Sequence, residues 1–115
     1  MNEDIKNDIL SNFVEFCAAA DTDLAAGRYN AAVSSYFKAL SILCDWHIYK
    51  RIMLLPKNHT ERFQILERDE PQAYSLLSPL FSKYRDSYNT RLSRKDALEL
   101  SENVKKLKKL FGIEG

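Results

Sequence analysis

Glycine, proline and cysteine are all scarce: three, three and two in 115 residues. So few turn formers exclude a turn-dense β-sandwich or barrel, and equally a collagen-like or low-complexity chain. Two cysteines and two histidines at unrelated spacings carry no zinc signature, and no metal site is expected. The glycine-rich signatures of phosphate loops, dinucleotide folds and hydrolase elbows are missing, so no cofactor is expected either. No apolar run approaches the ~18 residues of a membrane span, and no membrane partner is expected. The first residues, Met1-Asn2-Glu3-Asp4, are acidic where a secretory leader would be basic, which makes the cytoplasm the expected compartment. A dominant charge is lacking too: 17 Lys and Arg face 16 Asp and Glu. That balance excludes a globally basic nucleic-acid binder. What is present is an ordinary globular composition, 45% hydrophobic and 29% charged, at a length suited to one domain spanning 1–115.

The neutral total conceals segments of opposite sign. Residues 1–27 hold Lys6 against Glu3, Asp4, Asp8, Glu15, Asp21 and Asp23, whereas 28–57 hold Arg28, Lys38, Lys50, Arg51 and Lys57 against Asp45. A second basic block, 71–96, holds Lys83, Arg85, Arg91, Arg94 and Lys95 against Asp86 and Asp96. Facing segments can neutralise one another, or the two basic blocks can build a local anion site.

Hydrophobic periodicity predicts helices throughout. Ile5, Ile9, Phe13, Phe16, Cys17, Ala20 and Leu24 line one face of a helix over 3–26 that Gly27 ends. A second helix, 29–53, carries Tyr29, Ala32, Val33, Tyr36, Phe37, Leu40, Leu43, Cys44 and His47, with Ile42 and Trp46 off that stripe. Apolar on more than one side, it should be central. Pro56 breaks it, and a short helix capped by Asn58 or Thr60 is expected next. Pro71 suits a first helical turn. Tyr74, Leu77, Phe81, Tyr84 and Tyr88 then recur at helical spacing, with Pro79 expected to kink or divide the segment at Ser78. Ser93 and Asp96 have capping-box spacing ahead of Ala97, Leu100, Val104, Leu107 and Phe111. The expected fold is all-α, a compact antiparallel four- to five-helix up-and-down bundle. Cys17 and Cys44 should be buried free thiols, because the hairpin at Gly27 offsets them by about 10 Å.

The densest candidate for chemistry is Lys83-Tyr84-Arg85-Asp86-Ser87-Tyr88-Asn89-Thr90-Arg91, with three cations and two tyrosines. Tyr84 and Tyr88 belong to the expected buried stripe. Arg85 and Asn89, four apart, would share a helical face pointing elsewhere and could grip a phosphate or a base edge. The competing reading is an exposed helix end with internal contacts of Arg85 to Asp86 or Asn89. Lys83, Arg85, Asp86, Tyr88, Asn89 and Arg91 are the candidate nucleotide- or RNA-binding residues, and no catalytic residue is assigned. The lysines at 105, 106, 108 and 109 suit a helix C-terminus, where the dipole favours cations.

Two resemblances follow from these strings. Gly27, Tyr29, Ala32, Tyr36, Ala39 and Leu40 are spaced like half of a tetratricopeptide repeat, which would imply a protein-interaction module, but no second copy recurs about 34 residues on. Over nearly its full length the chain resembles the HEPN superfamily. The resemblance rests on the Ala- and Tyr-rich second helix, the Pro56-Lys57-Asn58-His59 loop, Lys83-Tyr84-Arg85-Asp86-Ser87-Tyr88-Asn89, and the last helix opening at Ser93-Arg94-Lys95-Asp96. It implies a helical domain that dimerises. In catalytic members, arginine followed by four to six residues and histidine cuts RNA. Arg85 matches the arginine and Asp86 the polar residue after it, but Thr90, Arg91 and Leu92 stand where the histidine would be. Without that imidazole the position lacks a proton shuttle near neutral pH. The resemblance therefore implies a non-catalytic accessory or binding module, a homodimer that binds nucleotide or RNA or partners a small nucleotidyltransferase. The alternative it leaves open is a ribonuclease or toxin that uses His47 or His59 instead.

Overall fold

The computed structural model describes residues 2–113 and is all-α, with no strand among them. The helices are α1 (Asn2–Ala25), α2 (Tyr29–Ile52), α3 (His59–Asp69), α4 (Pro71–Leu77), α5 (Phe81–Asp86) and α6 (Arg94–Leu110). The local signals do their expected work. Gly27 turns the chain at φ +78°, a left-handed conformation that glycine adopts without a Cβ penalty. The Asn58 side chain caps α3 by accepting from the Glu61 N–H at 2.9 Å. Ser93 and Asp96 close a reciprocal capping box at the start of α6. Pro79 interrupts the helical ladder, so Ser78–Leu80 winds as a 3₁₀ turn and α4 and α5 form one broken rod.

Contacts along α2 give the direction of every rod. Tyr36 reaches back to Asp21, so α1 runs antiparallel to α2. Asn30 bonds Leu92 near the start of α6, and His47 stacks on Phe111 just after its end, so α6 runs parallel to α2. Between them α4–α5 climbs the opposite way, from Glu70 beside His47 to Tyr84 beside Phe37. The four rods therefore alternate up and down. The 53–58 connection folds back along α2, which is why Arg62 of α3 meets Asp45 well before the end of α2. No helix among the described residues is long and apolar enough to cross a membrane.

The central position expected for α2 holds: Ala32, Val33, Tyr36, Phe37, Leu40, Leu43 and Cys44 are all at most 1% exposed. Leu66, Leu77, Leu80, Leu100 and Leu107 pack around them. Both cysteines are free, Cys44 buried and Cys17 half-buried. Desolvation raises both thiols, Cys17 to about 11. One expectation fails at the surface: Tyr88 is 73% exposed rather than part of the buried stripe.

Candidate anion-binding turn

Residues 83–91 cover the last turns of α5 and the link to α6. The helix ends at Asp86, so Asn89 lies in a turn and does not share a helical face with Arg85. The Asp86 carbonyl accepts from the Asn89 and Thr90 N–H groups at 3.1 and 2.9 Å and from the Thr90 hydroxyl at 2.9 Å. Asn30, in the first turn of α2, fastens this turn from outside. Its amide donates to the Ser87 carbonyl at 3.0 Å and to the Thr90 carbonyl at 2.6 Å, while its oxygen accepts from the Leu92 N–H at 2.9 Å. One side chain thus satisfies three backbone groups that no regular element pairs. Asn30→Ala is expected to cost about 1–3 kcal/mol, since those groups lose their partners. Amide hydrogen exchange at Leu92 should quicken first, while the exchange-protected core of α2 keeps its order.

The candidate cations differ in how far they are already neutralised. Lys83 donates to Asp96 at 2.6 Å and lies 3.2 Å from Glu99. That pairing raises the ammonium, and with the Ser93 N–H it pulls the Asp96 carboxyl down to about 2. Lys83 therefore braces α5 against α6. Arg85 and Arg91 are exposed, and neither pairs with a carboxylate among the described residues. The Arg85 guanidinium sits 5.3 Å from the centre of the Phe81 ring, which fixes its stem without cancelling its charge. Arg94 and Lys95 add two further exposed cations at the N-terminal end of α6, the positive end of the helix dipole. The Tyr88 hydroxyl lies 2.9 Å from that of Tyr84, and this bond raises Tyr84 to about 12. The Tyr88 ring, edge-on to Tyr84, is left open to a stacking partner. Asp86 and Asn89 are exposed beside these groups. These groups offer guanidiniums, which suit a phosphate, and an open aromatic ring, which suits a base.

Neither histidine lies free. His59 Nδ1 accepts from Arg62 Nη1 at 2.8 Å, because a guanidinium only donates. Its ring is enclosed by Phe37, Phe63, Phe81 and Tyr84. Burial and then the Arg62 charge lower its pKa, favouring the neutral ring. Arg62 is 8% exposed and grips Asp45 with two bonds, Nε to Oδ1 at 2.7 Å and Nη2 to Oδ2 at 2.9 Å. Arg62, and neither Arg51 nor Lys38, is thus the cation that pairs with Asp45. Arg51 instead meets Glu70, which also holds His47 Nε2 at 2.9 Å. His47 stacks flat on Phe111 at 4.0 Å. Neither cluster, nor the Asn30 clasp, was legible in the sequence, because the hydrogen bonds that join different elements link partners 17 to 62 positions apart. No group of three or more metal-ligating side chains gathers among the described residues. Comparison with protein-family profiles, characterised proteins and solved structures finds no match for this chain.

Proposed function

We infer that the chain is a non-catalytic, HEPN-like binding module that works as a homodimer and takes the phosphate of a nucleotide or RNA at the 83–91 turn. The observation that carries this reading is the pair of exposed, unneutralised arginines, Arg85 at the end of α5 and Arg91 on the following turn that Asn30 fastens. A rigid cationic turn binds an anion without first ordering a loop. The enclosure of His59 by four aromatic rings and its bond to Arg62 support the non-catalytic half of the reading. An accessory role beside a small nucleotidyltransferase is consistent with a phosphate-holding turn and rests on the family resemblance.

Fluorescence anisotropy with a labelled single-stranded RNA tests the site. Arg85→Glu with Arg91→Glu should weaken binding by at least about tenfold at low salt, with unchanged helicity, whereas Lys83→Ala changes affinity less. Unaltered affinity in the double variant contradicts the site. RNA cleavage lost in Arg85→Ala and in one histidine variant contradicts the non-catalytic reading.

For the dimer the supporting feature is the run Ile52, Met53, Leu54 and Leu55, each 41–60% exposed. Four consecutive exposed apolar side chains are unusual on a monomer surface and fit a face covered by a second copy. Light scattering should give twice the chain mass, and Leu54→Asp with Leu55→Asp should return the monomer. A wild-type monomer at high concentration contradicts the dimer.

A further inference from the structure

α1 packs chiefly against α2 and stands apart from α6, leaving a trench of about 730 Å³ between α1 and α6. That volume falls within the ~300–1,000 Å³ of small-molecule sites. Its floor is apolar and firmly packed: Phe13, Tyr36 and Val104 are 3%, 1% and 7% exposed. Val14, 60% exposed, and the half-buried Cys17 form the α1 wall.

Charge along the trench is graded. At one end the Tyr36 hydroxyl donates to Asp21 at 2.5 Å and also meets Ser101, so this end already holds a satisfied carboxylate. Because α1 and α6 run antiparallel, the end away from Asp21 is lined by Lys108 and Lys109 of α6, with Cys17 one helical turn from Asp21 on the α1 wall. Lys108 is half-buried and has no carboxylate partner among the described residues. Lys105 and Lys109 also line the α6 rim, and among the described residues only Lys105 of the three is paired, to an exposed Glu102 at 3.3 Å. Lys108 and Lys109 thus leave this end with positive charge that no carboxylate among the described residues offsets. The missing complement is an anion joined to something that covers an apolar floor.

We propose that the α1–α6 trench is a binding site for a free single-chain amphiphile, its carboxylate held by Lys108 and its alkyl tail lying over Phe13, Val14 and Val104. The ligand class is a fatty-acid-type anion. The site is separate from the 83–91 turn, so either can fail without the other.

Cys17 reports occupancy, and Cys44, fully buried, is the internal control. Maleimide labelling of the folded protein, followed by intact mass at mildly alkaline pH, should modify one thiol per chain. Saturating dodecanoate, kept below its micellar concentration, should slow that reaction about tenfold, as expected when the ligand covers the thiol in the native state. Dodecylammonium should protect far less. Lys108→Glu should cost dodecanoate about tenfold in affinity and favour the ammonium amphiphile. Val14→Trp, a filled trench with its charges intact, should remove protection by dodecanoate. Equal protection by both head groups, or protection unaffected by Lys108→Glu, overturns the proposal. So does labelling that slows with protein concentration when no amphiphile is present, since the trench is then covered by a second copy.

Discussion

Arg62→Met is expected to destabilise the fold by about 3–5 kcal/mol, the cost of stranding a buried charge by removing its partner. Arg62 places all three of its guanidinium nitrogens, two on Asp45 and one on His59. Burial already pushes the Asp45 carboxyl up, and the Arg62 pairing is the main force opposing that shift. Without the guanidinium, Asp45 must either stay charged and unpaired or take up a proton. The double change Asp45→Leu with Arg62→Met removes both charges and should lie within about 1–2 kcal/mol of the native protein, because a buried pair contributes little net stability over apolar side chains. Urea denaturation of the two single variants and the double variant checks this. Additive losses in the double variant would show that the two side chains act independently.

The same cluster sets a pH dependence. His59 has a lowered folded-state pKa, so the unfolded chain binds its proton more readily. Its contribution to stability is present above the ordinary histidine value of about 6.5 and is lost as pH falls through that value toward the lower folded one. The urea midpoint should therefore decline between pH 7 and pH 5, and decline less in His59→Gln.

Phe37→Ala should cost about 3–5 kcal/mol, a large part of the roughly 5–15 kcal/mol that holds an ordinary domain. Phe37 is 0% exposed and stacks on Tyr84 at 4.7 Å, with Phe81 and His59 both at 5.8 Å. It joins the central helix to the rod that carries the candidate turn, and three rings border the cavity its loss would leave. Phe37→Leu, which keeps much of the volume, should lose well under half as much. Thermal unfolding followed by circular dichroism separates the two. Equal losses would mean that the site collapses without regard to side-chain volume.

The helix boundaries were legible where a residue's own chemistry enforces them. Gly27, Asn58, Pro71, Pro79 and the Ser93–Asp96 capping box all act within a few residues of themselves. Tyr88 marks the limit of that logic. Its spacing continues the stripe of Phe81 and Tyr84, yet the helix has stopped at Asp86. No glycine or proline marks that stop. The Ser87 and Thr90 carbonyls are instead claimed by Asn30, 57 and 60 positions away. A separation of 17 positions likewise concealed the partner of Asp45, which became Arg62 only because the 53–58 segment folds back along α2. Candidate residues were therefore visible as a cationic run, while their sorting was not. Lys83 turned inward to Asp96 and Glu99, and Arg85 and Arg91 stayed open.

The salt dependence of RNA binding tests that sorting most directly. If Arg85 and Arg91 each neutralise a phosphate, the slope of log affinity against log salt should shrink in magnitude by about 1.4, near 0.7 per lost contact with a single strand, in Arg85→Glu with Arg91→Glu. Lys83→Ala should leave that slope close to the native one. An unchanged slope in the double variant, with RNA still bound, would place the anion site elsewhere on the molecule and contradict the account.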